Sequence, residues 1–204
     1  MLAALIRGIE HKKAQLDRVR PLSGGALAHL QKYYDIELTY TSNAIEGNTL
    51  SSAETTLVIE QGITIGGKPL KDHLEAIDHY EAIRYVRALA RQGTALTEAD
   101  VRQLHHLVVQ RSNPDIAGRY ADQGRYFLTD TGRYSFPSPA EVPALMGDFA
   151  RWLGAAVNAP ETAFAAHRRL VEIHPFNDGN GRTARLLMNL ILIRGGYPPV
   201  AVRL

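Results

Sequence analysis

The 204 residues are 45% hydrophobic and 22% charged, with 23 basic against 21 acidic side chains and a net charge of +2. This is an ordinary globular balance with room for one substantial core, and it carries no sequence-wide basic field of the kind that drives bulk nucleic-acid binding. There is no cysteine, which excludes disulfides and thiol chemistry and fits a reducing compartment. The first residues, MLAALIRGIEHKKAQLD, turn charged too early for a secretory apolar stretch, and no apolar run reaches membrane-spanning length. The expectation is a soluble, cytoplasmic protein with neither a membrane nor a nucleic-acid partner.

Leu2, Leu5, Ile6 and Ile9 recur at helical spacing and predict a first helix ending near Arg20 and Pro21. A second helix carries Leu27, Leu30, Tyr33 and Tyr34 and runs toward Ile45, where Gly47 offers a stop. Ser51 stands at capping-box spacing from Glu54 and opens a short helix up to Gly62. The following GITIGGKPL reads as a loop turning at Gly66 and Gly67. A long helix then spans about 71–91, and a shorter one runs from Thr97 to about Gln110. RYFLTDTGRYSF, residues 125–136, holds two β-prone runs around Thr131 and Gly132 and predicts a small hairpin.

Ser138, Pro139 and Glu141 form a helix-start signature, and Val142, Leu145, Met146, Phe149, Trp152 and Leu153 supply the apolar stripe behind it. Another helix places Phe164, His167, Leu170 and Val171 on one face and stops at His174 and Pro175. ARLLMNLILIRGG is apolar nearly all round, as a helix at the centre of the core would be. The fold class is therefore all-α, with one small β-hairpin inserted. Residues 1–70 read as an N-terminal helical arm and 71–204 as the core.

The chemistry concentrates in HPFNDGNGRTAR, residues 174–185. Gly179, Asn180 and Gly181 stand just before the central helix, where successive N–H groups and the positive helix end make an anion cradle. Arg182 and Arg185 are three apart, so both guanidinium groups can face one side and grip phosphate oxygens. Asp178 beside such a cradle suits Mg2+, which favours carboxylate together with phosphate oxygens; a nucleoside triphosphate with Mg2+ is the expected ligand. His174 has a pKa suited to taking a proton from a hydroxyl. Phe176 reads as a packing anchor. His73, His79, His105 and His106 lack the pattern of a metal site and read as surface or helix-packing histidines, and His167 as a core histidine.

This stretch resembles the Fic-domain motif H-P-F-x-D/E-G-N-G-R-x-x-R at every specified position, and the likeness extends over most of the chain. The resemblance implies a Fic-like helical bundle whose hairpin is a flap over an active site, and transfer of AMP from ATP to a Ser, Thr or Tyr hydroxyl of a target protein. It implies His174 as the base, Asp178 as the Mg2+ ligand, and Asn177, Gly179, Asn180, Gly181, Arg182 and Arg185 around the nucleotide, with Arg185 on the γ-phosphate. Gly181 favours the adenylylating orientation of ATP. The target would dock by strand addition to the flap at Arg125, Tyr126, Phe127 and Leu128. Relatives commonly carry G-x-x-R before the flap, whereas Ala121 stands at the arginine position here.

TSNAIEGN, residues 41–48, resembles the inhibitory motif of the same family through Ser42, Glu46 and Gly47. In the family its glutamate faces the second arginine of the core motif, here Arg185, and a bidentate pair would occupy the fork that the γ-phosphate needs. The expectation is an autoinhibited adenylyltransferase. Two other readings stay open: removal of AMP or transfer of another phosphate-bearing group, and a non-catalytic nucleotide-binding regulatory module. A homodimer is also left open.

Overall fold

A computed structural model describes residues 2–21, 23–130 and 132–203. The Leu2 side chain of the predicted first stripe and Thr131 of the predicted hairpin turn lie outside the described part. Among the described residues the elements in chain order are α1 (Leu2–Asp17), α2 (Gly24–Ile45), α3 (Ser52–Gln61), α4 (Leu70–Ala90), α5 (Glu98–Val109), β1 (Tyr126–Thr129), β2 (Gly132–Ser135), α6 (Val142–Ala155), α7 (Pro160–Ile173) and α8 (Asn180–Arg194), with a 3₁₀ turn at Pro114–Ile116. The mostly helical fold with one hairpin is as the sequence predicts.

The middle of the bundle is α8. Every residue from Thr183 to Leu192 is buried, because α4, α5 and α7 pack around this helix and α2 touches its first turns. Its few polar side chains are used structurally: Asn189 donates to Val200 O at 3.1 Å and accepts from Val200 N–H at 2.7 Å, which holds the segment after α8 against the core. Burying such a polar residue is tolerated because its amide is satisfied on both sides.

Local caps set the helix starts. Ser51 Oγ accepts from Glu54 N–H at 3.2 Å while Glu54 returns a carboxylate oxygen to Ser51 N–H at 2.7 Å, the predicted reciprocal box. At Ser138 the same signature behaves differently. Glu141 accepts both the N–H (2.8 Å) and the hydroxyl (2.6 Å) of Ser138, so the serine donates instead of capping, and α6 begins after an intervening turn at 139–141.

The hairpin pairs Tyr126 with Ser135, Phe127 with Tyr134, Leu128 with Arg133 and Thr129 with Gly132. All its described side chains are exposed, so it projects from the bundle. Its base is tied by Arg125, which donates to Pro137 O at 2.7 Å.

The arm is joined to the core chiefly through α4. Asp35 on α2 receives the Arg87 guanidinium at 2.5–3.1 Å, and Asp72 accepts both the N–H (2.8 Å) and the hydroxyl (2.6 Å) of Thr49. Asp78, fully buried on α4, accepts from the N–H groups of Arg111 and Ser112 and so fixes the end of α5.

Candidate active site

α7 ends on a left-handed residue, His174, with φ 51° and ψ 57°. A non-glycine residue rarely occupies that region, and its cost of roughly 1–3 kcal/mol is met by the packed surroundings. The chain then crosses a short loop and enters α8 at Gly179, whose φ is 76°. A Cβ at Gly179 would come within 3.1 Å of Val109 and 3.3 Å of His105, so glycine lets the loop lie directly on α5.

Three side chains brace this loop. Asn180 accepts from Phe176 N–H at 2.9 Å and donates to Phe176 O at 2.7 Å. This committed amide leaves only the Asn180 backbone for a ligand, which narrows the nucleotide contact expected of it. Phe176 is fully buried and stacks on the His105 ring at 3.7 Å, nearly parallel. Gly118 N–H donates to His105 Nδ1 at 3.0 Å, so the proton sits on Nε2, which donates to Asp178 O at 2.9 Å. Burial pushes His105 down to about 4, which keeps it in the neutral form this double role needs. Asn177 is exposed and donates to Asp122 at 2.9 Å, so its side chain also braces the loop instead of facing the cradle.

At the start of α8 the N–H groups of Asn180, Gly181 and Arg182 have no acceptor among the described residues. They form the positive end of a 15-residue helix, a ready place for an anion. Asp178 stands at its rim, its side chain 42% exposed, with Oδ1 accepting from Gly179 N–H at 2.6 Å. Among the described residues no group of three or more His, Cys, Asp or Glu side chains converges as a metal site. A divalent cation held here would share Asp178 with phosphate oxygens, a donor set that fits Mg2+.

His174 is half-buried. Its Nδ1 lies 3.3 Å from Val171 O, and because a carbonyl can only accept, Nδ1 carries the proton and Nε2 is left as the basic nitrogen. Desolvation, with Arg125 adding to it, lowers its pKa, while the Val171 carbonyl, Glu46 and Asp178 act the other way.

The two arginines do not share one face. Arg182 is 2% exposed, with Nη1 3.1 Å from Glu75 Oε1, close enough for an ion pair but poorly aligned for a hydrogen bond, and Nη2 3.3 Å from Asp178. Side chains three apart on a helix diverge when each meets a different carboxylate. Arg185 instead turns toward the arm: Nε donates to Ser42 Oγ at 2.9 Å, and Nη2 to Ser42 O at 3.0 Å and to Glu46 Oε1 at 2.5 Å. The contact to Glu46 is through one nitrogen and one oxygen, not fork on fork, because Ser42 occupies Nε and shares Nη2. Gly47, at φ 89°, ends the turn that presents Glu46. A Cβ on Gly181 would collide with the Glu46 carboxylate, so the inhibitory-motif glutamate lies directly against the cradle.

The family model described as the Fic/DOC family matches residues 95–192. A Fic domain containing signaling protein from Bacteroides thetaiotaomicron has the same fold at a TM-score of 0.86 and 34% identity, over 97% of this chain and 75% of that one. The chain belongs to the Fic/DOC family. The protein adenylyltransferase Fic of Nematostella vectensis is 39% identical to this Fic chain over 169 residues, 80% of this chain and 39% of the relative. The protein adenylyltransferase Fic of Drosophila yakuba is 34% identical over 97% of this chain and 40% of the relative. This Fic chain thus spans about two fifths of the length of these curated relatives.

The loop at 174–185 and the turn at 41–48 of this Fic chain are legible in its sequence, but what fastens them is not. Glu75, buried on α4, accepts from Asn48 Nδ2 at 3.0 Å while pairing with Arg182, and so touches both segments. Nothing in its spacing announces that role. His105 was visible as half of a histidine pair, yet only its partners reveal that it seats the Asp178 loop.

Proposed function

We propose that this chain is a protein adenylyltransferase restrained by its own N-terminal arm. Residues 1–70 would be the arm and 71–204 the core, with the boundary at the start of α4. In the reaction, His174 Nε2 takes the proton from a target hydroxyl. The hydroxyl oxygen bonds to the α-phosphorus of ATP, and the bond to the β-phosphate oxygen breaks, releasing pyrophosphate. The N–H groups at the start of α8 receive phosphate oxygens, where positioning and charge compensation carry phosphoryl chemistry. Asp178 would hold Mg2+, which when bound neutralises phosphate charge. Arg185 would take the γ-phosphate once freed. The target segment would add as a strand to the flap at Tyr126, Phe127 and Leu128, while Arg125 holds the flap base.

The contact between Arg185 and Glu46 carries this reading. A carboxylate pressed on the cradle opposes a polyphosphate by charge and by occupying the guanidinium. The test is to incubate wild type, Glu46→Gly and the double variant Glu46→Gly with His174→Ala with labelled ATP and Mg2+ in a lysate and to weigh the labelled products. Glu46→Gly should gain label, each product heavier by one AMP, and Glu46→Gly carrying His174→Ala as well should take up none. A Glu46→Gly variant as silent as wild type would remove the restraint from the account, and a mass other than AMP would change the reaction.

A further inference from the structure

The flap reaches His174 through one side chain that lies outside both the 174–185 and the 41–48 motifs. Phe136, just past β2, stacks on the His174 imidazole with ring centroids 3.8 Å apart and planes within 16°. Phe136 is in turn packed by Tyr134 edge-on at 5.4 Å and by Phe127 at 5.6 Å, and those two rings face each other across the hairpin at 5.0 Å. An aromatic ladder therefore runs from the exposed hairpin, where a target strand would dock, down to the base.

The imidazole has little else to hold it. Its hydrogen bond to Val171 O is long, at 3.3 Å, and no other bond to the ring exists among the described residues. A face-on stack leaves the nitrogen lone pair free, because a proton arrives in the ring plane and not through its face. Phe136 therefore limits rotation about the imidazole's side-chain bonds without blocking Nε2. Proton transfer is steeply sensitive to the aim of the base.

We propose that Phe136 is a positioning residue that orients the His174 imidazole and links that orientation to the flap on which the target docks. This rests on His174 serving as the base. A strand added to the flap orders Phe127 and Tyr134, these hold Phe136, and Phe136 holds the ring, so the base is best aligned when a target is present. Among the described residues the ring contacts of the ladder are with one another and with His174, none with the start of α8, so nucleotide affinity should be independent of it.

The experiment places Phe136→Ala and Phe136→Tyr in the Glu46→Gly background and measures transfer kinetics. The same two substitutions in otherwise wild-type protein are followed by NMR of the His174 ring protons. Phe136 is only half-buried on a projecting hairpin, so both variants should fold. Phe136→Ala should lower kcat about tenfold with KM for ATP unchanged, and Phe136→Tyr, which keeps the ring, should restore most of it. The ring-current displacement of the His174 proton resonances should vanish in Phe136→Ala and persist in Phe136→Tyr. An unchanged kcat with a raised KM for the target would make Phe136 a docking contact only and overturn the proposal, as would His174 resonances indifferent to the alanine. If His174 is not the base, transfer by Glu46→Gly survives the addition of His174→Ala, a result separate from the ring-proton measurement.

Discussion

His79 and His105 show how a buried titratable group can serve as a fixed dipole. His79 Nδ1 lies 3.4 Å from Thr39 Oγ1, and that hydroxyl already donates to Asp35 O, so the imidazole donates to it and stays neutral. Burial, reinforced by Arg185 and Arg182, pushes His79 down to about 3, and burial pushes His105 to about 4, each from an ordinary 6.5. In the unfolded chain both take up protons below about pH 6.5, whereas in the fold they do not. The stability these histidines preserve is thus complete above about 6.5 and is lost as pH falls toward 4, at about 1.4 kcal/mol per pH unit for each group. Denaturant unfolding without nucleotide or metal should show a lower midpoint at pH 5 than at pH 7. A flat midpoint over that range would mean that both rings accept protons inside the fold. Sequence alone exposed the histidines but not this state, because burial and hydrogen-bond direction depend on partners 40 and 73 residues away.

Among the elements, α4 does most to couple arm to core. Its Asp72 clamps Thr49, its Glu75 meets both Asn48 and Arg182, and its Arg87 pins α2 through Asp35. The segment carrying Glu46 is therefore held at both ends, by α2 on one side and by the Asp72 clamp on the other. Asp72→Ala should loosen that segment while sparing Glu46 itself. Label incorporation should rise roughly fivefold to tenfold over wild type, yet remain below that of Glu46→Gly, since two hydrogen bonds to a charged group are lost but the restraining carboxylate is kept. Equal incorporation in Asp72→Ala and wild type, beside a raised Glu46→Gly signal, would show that α2 alone positions the glutamate. The caps at Ser51 and the stop at Gly47 were legible in sequence because they are short-range. The clamp by Asp72 was not, for the two partners are 23 residues apart, one in the loop after α2 and the other on α4.

At the scale of the whole molecule, α8 is both the floor of the site and the centre of the core. Leu190 is completely buried in it, and Leu190→Ala should cost about 2–5 kcal/mol in denaturant unfolding, since the helices around α8 cannot all collapse onto the space. A loss below about 1 kcal/mol would mean that the bundle repacks more freely than a crowded central helix allows. No helix among the described residues is long and apolar enough to cross a membrane, although α8 is buried on every side. By itself the sequence determined the helical elements, the hairpin, the central place of α8 and the chemical content of residues 174–185, because periodicity, caps and a contiguous motif are local in the chain. Only the tertiary structure decided which groups of that motif are committed. Arg182 is turned to Glu75, Arg185 to Ser42 and Glu46, the Asn180 side chain to Phe176, and the His174 ring to Phe136. The physical reason is that a buried charge or ring is governed by whichever partner the packing brings to it, and a residue's own neighbours in sequence do not specify that partner.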